Sequence, residues 1–432
     1  MAGPPALYRL YRLLTPVLLP LAWRSVSRRL ADHGVDPARA RERLGHASQP
    51  RATGRLVWFH AASVGESLSV LRLIEVMGES LPDTEFLITS GTATSAELVA
   101  KRMPPRARHQ FAPLDAPGPV RRFLDHWQPA AALFVESELW PLMIVETSDQ
   151  GAPLALVNAR LSAKSVDGWR KWPRTSRFIL NRFTLLLAQN RQTADDLIAL
   201  GAPADRVALS VNLKATTTPP PVDPALLAQM RRAIAGRPIW LASSTHPGEE
   251  EIVLAAYRQL LADHPDLLLI LAPRHPERGA EVAELISRAG LQTARRGTAE
   301  ALTPDTQVYL ADTLGETGTW YSLAPFAFLG ATLADKGGHN PIEPAQFGVP
   351  LIVGPSRDNN RAAFEALALT GGLAEVSDAS TLAAAVARWL DDPAALDRAQ
   401  DGARRLVQDQ DSALQEIAQR LCTALHLEAG DA

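Results

Sequence analysis

The 432-residue sequence predicts an α/β protein of two doubly wound domains, and three observations lead to this prediction. In both halves of the chain, short apolar runs alternate with amphipathic stretches, as parallel strands do when helices cover both faces of their sheet. The chain is too long for a single ordinary hydrophobic core. Between the halves, the stretch KATTTPPPVD at 214–223 has the composition of an interdomain linker.

Each half contains five apolar runs that we predict to be strands. In the first half they are Arg55–Ala61, Glu85–Ser90, Ala131–Ser137, Leu154–Arg160 and Thr184–Gln189. In the second half they are Ile239–Thr245, Leu267–Arg274, Gln307–Thr313, Phe326–Thr332 and Pro350–Gly354. Alternating strands and helices form βαβ units, so each half should fold around its own parallel sheet. The expected segments are an N-terminal segment at 1–30, a first domain at 31–213, a linker at 214–226 and a second domain at 227–432.

The overall charge and the cysteine content exclude several classes of protein. A net charge of −3 provides no electropositive field that would gather nucleic-acid phosphates, so no nucleic-acid partner is expected. The single cysteine, Cys422, excludes an internal disulfide and any thiolate metal cluster. An apolar content of 46% and a charged content of 21% are typical of a globular protein.

Residues 1–30 contain an apolar run from Leu13 to Trp23, with arginines on both sides. As a helix, this run would rise by roughly 16 Å, about half the thickness of a membrane's hydrocarbon core. In one interpretation, Pro16 and Pro20 divide it into short helices that pack on the protein body. We expect instead a membrane-anchoring segment that lies at the membrane surface or re-enters it, with Trp23 and Tyr8 at the headgroup level.

Ligands of parallel sheets bind beyond the carboxyl ends of the strands, so the residues that follow the predicted strands are the first candidates for a site. After the first strand, Ser63 and Glu66 have the spacing of a capping box at a helix start. Glu66 could also be a catalytic base, because the positive end of a helix dipole favours its ionised form. Gly65 would let a substrate approach the backbone closely.

The ends of the third and fourth predicted strands carry further charged candidates. Glu136 and Glu138 flank a serine at the end of a buried strand, where two carboxylates either cap a helix or belong to a site. Arg160 opens a basic stretch that also contains Trp169 and Trp172. This stretch is either a solvated helix face or an amphipathic surface for a phosphorylated lipid or an anionic bilayer.

In the second domain, the sequence GGHNPIEP at 337–344 follows a predicted strand and opens a proline-initiated helix. Its glycines expose backbone N–H groups that would bind an anion together with the helix N-terminus, and Glu343 could accept hydrogen bonds from ribose hydroxyls. The segment around His246, STHPGEE, fits simple helix capping. His246, His275 and His339 belong to separate strand-end loops with no metal-site spacing, so no metal is expected.

Taken in order, the strand-end motifs resemble those of a known family: HAASVGES, FVESELWP, NARLS, NLK, STHPGEE, APRHPER, LGE and GGHNPIEPA. This family transfers 3-deoxy-D-manno-octulosonic acid (Kdo), an acidic eight-carbon sugar, in lipopolysaccharide biosynthesis. The resemblance covers nearly the whole chain. It implies the GT-B fold, in which two Rossmann-like domains flank a cleft, the first binding the acceptor and the second the donor.

The resemblance also implies a reaction and a location. The donor would be CMP-Kdo and the acceptor lipid IVA, the phosphorylated tetraacyl precursor of lipid A, with no cofactor or metal. The enzyme would work at the membrane surface, on the cytoplasmic face of the cell inner membrane. Glu66 would be the general base of a single displacement with inversion. Two alternatives stay open, namely another GT-B enzyme that uses a UDP-sugar, and a non-catalytic protein that binds nucleotide or lipid at the membrane.

The family's binding residues correspond to two groups of positions in this sequence. The CMP contacts correspond to Pro273, Arg274, Leu314, Gly315, Glu316, Asn340, Pro341, Ile342 and Glu343. Candidates for acceptor binding or transition-state stabilisation are Ser63, Gly65, Glu136, Glu138 and Arg160. The chain departs from the family pattern before NLK, where Ser210-Val211-Asn212 replaces the common TGN.

Overall fold

A computed structural model describes residues 3–213 and 219–428 of the chain. The chain divides into two compact units, Met1–Thr217 together with Asp411–Ala432, and Thr218–Gln410. Each unit contains a seven-stranded sheet in which neighbouring strands are parallel. The prediction of an α/β protein with two parallel sheets is therefore confirmed. Residues 214–218 of the expected linker lie outside the described part of the chain.

The sheet of the first unit has the strand order β3-β2-β1-β4-β5-β6-β7. Its strands are β1 (Arg55–His60), β2 (Thr84–Ser90), β3 (Ala107–Phe111), β4 (Ala131–Val135), β5 (Leu154–Ala159), β6 (Phe183–Ala188) and β7 (Val207–Leu209). Because the order reverses between β1 and β4, the carboxyl ends of these two strands form the topological switch point where ligands of such sheets bind.

The helices of the first unit pack on both faces of this sheet. They are α1 (Ala6–Asp32), α2 (Pro37–Ala40), α3 (Val64–Ser69), α4 (Leu71–Ser80), α5 (Ala93–Lys101), α6 (Pro117–Trp127), α7 (Pro141–Asp149), α8 (Ala163–Arg170), α9 (Pro173–Leu180) and α10 (Arg191–Ala199). Successive residues of β1 point to opposite faces and enter different apolar clusters, Val57 and Phe59 into one, Leu56 and Trp58 into the other. This two-sided burial explains the continuous apolar strand sequences.

The second unit repeats the scheme with the strand order β10-β11-β9-β8-β12-β13-β14. Its strands are β8 (Ile239–Thr245), β9 (Leu268–Pro273), β10 (Thr293–Arg295), β11 (Val308–Leu310), β12 (Ala327–Leu329), β13 (Leu351–Val353) and β14 (Leu373–Glu375). Its helices are α11 (Pro224–Ile234), α12 (Glu249–Leu260), α13 (Gly279–Arg288), α14 (Thr317–Leu323), α15 (Ile342–Ala345), α16 (Arg361–Thr370), α17 (Ala379–Asp391) and the first part of α18 (Pro393–Ala424). Its switch point lies between β8 and β12.

The ten predicted strands are all present, but the sequence did not predict β3, β7, β10 and β14. These four are the edge strands of the two sheets. An edge strand is covered less completely than a central one, so it does not need a continuous apolar run. In β3, the sequence ARHQF also contains two buried polar residues, His109 and Gln110, whose side chains form hydrogen bonds with Ser90 and Trp127 and so interrupt the apolar run.

The last helix corrects the expected boundary of the second domain, 227–432. From Asp411 onward the chain belongs to the first unit. Leu414, Ile417, Leu421 and Leu425 of this segment, spaced as one face of a helix, are buried in the same apolar cluster as Val57 of β1. The continuous helical pattern of α18 contains no break at which a return to the first domain could be recognised.

The N-terminal segment forms the single long helix α1, with Pro16 and Pro20 inside it. The alternative of several short helices is therefore wrong. Apolar side chains remain exposed along two rows with a spacing of four residues, Leu10, Leu14 and Leu18 in one and Leu13, Val17 and Leu21 in the other. Across residues 3–213 and 219–428, no helix combines the length and the apolarity that crossing a membrane requires.

Candidate active site

The carboxyl end of β1 leads into the turn that carries Glu66. Ser63 is the N-cap residue of α3, and its hydroxyl accepts a hydrogen bond from the Glu66 backbone N–H at 3.3 Å. The same hydroxyl donates to Glu66 Oε1 at 2.8 Å, and the Ala62 backbone N–H donates to Glu66 Oε2 at 2.9 Å. The Ser63–Glu66 spacing therefore does mark a helix start, and both carboxylate oxygens of Glu66 are held in place.

The surroundings of Glu66, which is only 9% exposed, favour proton binding. Burial raises the pKa of Glu66 above its ordinary value, and the charges of Glu138 and Glu136 add to the rise, while the bonds from Ser63 and Ala62 oppose it. The expected effect of the helix dipole is small, because α3 has only six residues. A carboxylate has about four lone-pair sites, so the two bonds leave room to accept a substrate proton.

Glu138, after β4, stands beside a buried histidine that ends β1. His60 Nε2 lies 3.5 Å from Glu138 Oε2, and His60 Nδ1 lies 3.0 Å from Thr89 Oγ1. Burial alone would raise the pKa of Glu138, but the adjacent imidazole of His60 and a hydrogen bond from Trp140 lower it below its ordinary value. The pKa of Glu66 is thus raised and that of Glu138 lowered, which suits Glu66 to exchange protons and Glu138 to remain charged.

Glu136 and Asn158 both have a left-handed backbone, with φ of +54° at the ends of β4 and β5. Such a conformation costs a non-glycine residue about 1 kcal/mol or more, and it concentrates at functional sites. Asn158 Nδ2 donates to Glu136 Oε1 at 3.4 Å, while Asn158 Oδ1 accepts from the Leu213 backbone N–H at 3.1 Å. Asn158 therefore links Glu136 to Leu213, the middle residue of the NLK motif.

The remaining first-domain candidates are exposed. Gly65 lies on the solvent side of the α3 turn, and Arg160 is exposed directly after β5, the neighbour of β4. The structure thus brings Ser63, Glu66 and Glu138 into one electrostatic group and places Arg160 on an adjacent strand end.

A buried aspartate connects this region to α1. Asp115 accepts hydrogen bonds from the Tyr11 hydroxyl at 2.9 Å and from the backbone N–H groups of Leu142 and Met143 at 3.1 and 2.8 Å. Leu142 and Met143 begin α7, directly after the loop that holds Glu138. Asp115 therefore ties α1 to the helix that follows the candidate site.

In the second unit, the positions expected to contact CMP lie at the same edge of the sheet. Pro273 ends β9, and Arg274 follows it with an exposed side chain. Arg296 forms a forked ion pair with Glu316, in which Nη2 lies 2.7 Å from Oε1 and Nε lies 3.2 Å from Oε2. The side chain of Leu314 is 81% exposed. Asn340 Oδ1 accepts from the Ile342 backbone N–H at 3.1 Å, at the start of α15. The role of these residues in CMP binding stays a prediction.

The anion site expected at the two glycines has a different structure. The N–H of Gly337 donates to Ser356 Oγ at 2.9 Å and that of Gly338 to the Ala331 carbonyl at 2.8 Å, so neither is available to a ligand. The following helix, α15, has only four residues and a correspondingly small dipole. The glycines are needed for packing, since a Cβ on Gly338, at φ +75°, would lie 2.8 Å from the Phe364 ring.

The first glutamate of STHPGEE, Glu249, does more than cap a helix. Glu249 is fully buried and accepts hydrogen bonds from five backbone N–H groups at 2.8 to 3.1 Å, those of His246, Ala331, Thr332, Leu333 and Ala334. It therefore holds the loop after β8 against the loop after β12, across the switch point of the second sheet.

Known proteins place the chain in a family. Residues 38–217 match the family model described as 3-deoxy-D-manno-octulosonic-acid transferase (kdotransferase). A 3-deoxy-D-manno-octulosonic acid transferase from Haemophilus influenzae is 34% identical over 395 residues, which are 89% of this chain and 91% of that protein. The chain belongs to the Kdo transferase family. A probable mitochondrial member from Arabidopsis thaliana is 37% identical over 357 residues, 80% of this chain and 79% of that protein.

Membership confirms the motif resemblance and makes the chain a glycosyltransferase. Among solved structures, the UDP-GlcNAc 2-epimerase from Neisseria meningitidis bound to UDP-GlcNAc is similar, with a TM-score of 0.51 and 12% identity. The match covers 85% of this chain and 100% of that one. At this identity the likeness concerns the fold alone, which is GT-B-like as predicted; the membrane-anchoring part of that prediction stays a prediction.

Four residues of this transferase were missed as functional candidates: His60, Asp115, Asn158 and Glu249. His60 and Asn158 stand at strand ends, so the rule that located Glu66 could have found them. Asp115 and Glu249 accept hydrogen bonds from backbone N–H groups that are distant in sequence, and no local sequence pattern indicates such bonds. The three histidines dismissed as separate are in fact close together: His246 Nε2 lies 3.0 Å from His339 Nε2, and the ring of His275 is 5.7 Å from that of His246.

Proposed function

We propose that this transferase moves Kdo from CMP-Kdo to lipid IVA in lipopolysaccharide biosynthesis, with Glu66 as the general base. The observation that carries the proposal is the environment of Glu66 at the switch point of the first sheet. Burial and the neighbouring carboxylates raise its pKa, and two hydrogen bonds orient it. The raised pKa makes Glu66 a stronger base than an ordinary glutamate, which suits it to take a proton from a sugar hydroxyl.

The proposed reaction is a single displacement at the anomeric carbon of Kdo. The acceptor oxygen forms a bond to this carbon, the bond from the carbon to the phosphate oxygen breaks, and CMP leaves with the electron pair. The hydroxyl proton passes to Glu66, and the configuration inverts. Because the leaving group carries only one phosphate, the exposed guanidinium of Arg274 can neutralise the negative charge that develops on it. The chemistry therefore requires no metal or cofactor.

The acceptor is a phosphorylated lipid, and the first unit offers a surface of matching chemistry. A cavity of about 1330 Å³ is lined by the start of α1 and by α9, including Lys171, Arg174, Arg177, Arg182 and Trp172. Guanidinium groups bind phosphate in a forked geometry, and tryptophan prefers the membrane interface. Together with the exposed apolar rows of α1, these cations support attachment to an anionic membrane surface, the cytoplasmic face of the inner membrane.

The test is transfer from CMP-Kdo, generated in situ, to tetraacylated bisphosphorylated lipid A precursor, with products identified by mass spectrometry. We expect Glu66→Gln to reduce turnover by at least about 100-fold, the usual contribution of a general base. Binding of CMP, measured by calorimetry, should be unchanged. The control Glu97→Gln alters an exposed glutamate of α5 and should keep full activity.

Two results would contradict the proposal. Retained turnover in Glu66→Gln would exclude Glu66 as the base. A wild-type protein that is folded but transfers no Kdo would exclude the reaction, and a screen of UDP-sugars would then identify the donor.

A further inference from the structure

Three loops of the second unit bring histidines to one place at its switch point. His246 follows β8, His339 follows β12 and His275 follows β9, and β8 pairs with both other strands. The rings of His246 and His339 are nearly parallel, with centroids 5.2 Å apart, and the ring of His275 is 5.7 Å from that of His246. Since His275 adjoins Arg274 and His339 adjoins Asn340, the cluster lies beside the positions that the family resemblance assigns to CMP.

The contact between His246 and His339 limits how much charge the pair can carry. Their Nε2 atoms are 3.0 Å apart, a hydrogen bond in which one nitrogen donates and the other must offer a lone pair. While this contact persists, the pair can therefore take up one additional proton but not two.

Burial and nearby positive groups disfavour protonation of His246 and His339 in the free protein. His246 faces Glu249, Glu250, His275 and Lys336, and His339 faces Arg274 and His275. His275 Nδ1 lies 3.3 Å from Oε1 of the exposed Glu277. Glu249 is engaged by five backbone N–H groups, and Glu250 is paired with Arg278 at 2.9 Å. Burial and the positive neighbours lower the pKa of His339 to about 4, and burial also lowers that of His246.

The cluster is built more rigidly than a set of surface histidines. Glu249 bonds to the backbone of His246 and to four successive N–H groups after β12, so the loops that carry His246 and His339 are fixed to each other. The two loops also approach closely, because a Cβ on Gly330 would lie 2.2 Å from the Ser244 carbonyl oxygen. The rings nevertheless remain partly exposed, so a ligand can reach them.

We propose that His246, His275 and His339 form a proton-accepting subsite for an oxyanion of the donor, either its phosphate or the carboxylate of its acidic sugar. An anion placed against the rings stabilises their protonated form, so binding takes up a proton and adds a positive charge to the cluster. The cation then stabilises the charge that develops on the departing phosphate or holds the sugar carboxylate. This inference rests on the proposed function, since it assumes a CMP-linked acidic sugar as donor.

The test measures proton uptake on binding, by titration calorimetry at about pH 6 in buffers of different ionisation enthalpy. CMP supplies a phosphate, Kdo added to the CMP-bound protein supplies a carboxylate, and cytidine supplies neither. We expect wild-type protein to take up a substantial fraction of one proton with CMP or with Kdo, beyond the ligand's own titration, and none with cytidine. Uptake with CMP assigns the phosphate to the cluster, and uptake with Kdo assigns the carboxylate.

Substitutions of single histidines test whether the proton is taken up by this cluster and not by another histidine of the protein. His339→Gln and, separately, His246→Gln should abolish the extra proton and weaken binding of the linked anion about tenfold or more at this pH, with the fold checked by circular dichroism. The control His264→Gln, in the same unit beside Asp391, should behave as wild type. CMP and Kdo binding without extra proton uptake in wild type would overturn the subsite but leave the proposed function intact. A wild type that binds no CMP would overturn both.

Discussion

The Ser63 hydroxyl and Glu66 are joined twice, because the hydroxyl accepts from the Glu66 backbone N–H at 3.3 Å and donates to the Glu66 carboxylate at 2.8 Å. Helix capping and catalysis are therefore not alternative roles for this pair. The same contact that starts α3 also orients the proposed base and moderates its pKa. This double role makes the pair accessible to separate measurements of stability and of pH dependence.

We expect Ser63→Ala to lower stability by about 1 kcal/mol, the usual effect of removing a helix cap. It should also shift the activity profile, since the lost bond opposed the rise in the pKa of Glu66. Because the base must be ionised, the acidic limb of kcat/KM should move to higher pH. The control Asn190→Ala removes the cap of α10 and should cost similar stability without shifting the limb. An unchanged limb in Ser63→Ala would contradict this prediction.

Glu138→Gln should shift the profile in the opposite direction. The charge of Glu138 raises the pKa of Glu66, so its removal lowers that pKa, and the acidic limb of kcat/KM should move to lower pH. The maximal value of kcat/KM can fall as well, but the pH at the midpoint of the acidic limb does not depend on that maximum. Glu146→Gln, which alters the partner of Arg12 in α7, serves as the control and should leave the limb in place. A limb that moves to higher pH in Glu138→Gln would exclude the assigned coupling.

Two tyrosines of α1 provide a matched pair for the connection to Asp115. Tyr11→Phe removes the hydrogen bond to a buried carboxyl and should reduce the free energy of unfolding by about 1.5 kcal/mol. Tyr8→Phe should be close to neutral, because the buried Tyr8 hydroxyl has no hydrogen-bond partner among the described residues. Urea unfolding followed by tryptophan fluorescence measures both. Equal effects of the two substitutions would show that the Asp115 contact contributes no stability.

The exposed apolar rows of α1 predict binding to anionic lipid vesicles. Leu13→Gln combined with Leu21→Gln should weaken vesicle binding by about tenfold or more, since each leucine contributes roughly 1.5 kcal/mol when fully buried. Leu13 and Leu21 are 72% and 69% exposed, so stability should not change. Leu369→Gln, which alters an 89% exposed leucine of the second unit, is the control. Binding that survives the double substitution would exclude α1 as the membrane contact.

The sequence by itself determined the architecture and the positions of the site segments. Central strands such as β1 are buried on both faces and have a continuous apolar run that can be read directly. The edge strand β3 has no such run, because its buried residues include His109 and Gln110. Since ligands bind at the carboxyl ends of strands, the segments around Glu66, Glu138 and Arg274 were also predictable.

Tertiary structure decided which of these residues meet and in what state. His60 reaches Glu138, and His246 reaches His339 across 93 positions of sequence, because strand order, not sequence distance, sets which loops are neighbours. The direction of the Glu66 pKa shift also depends on burial and on carboxylates from another strand. Spacing along the chain carries no information about such contacts, since each arises from a pairing between segments far apart in sequence.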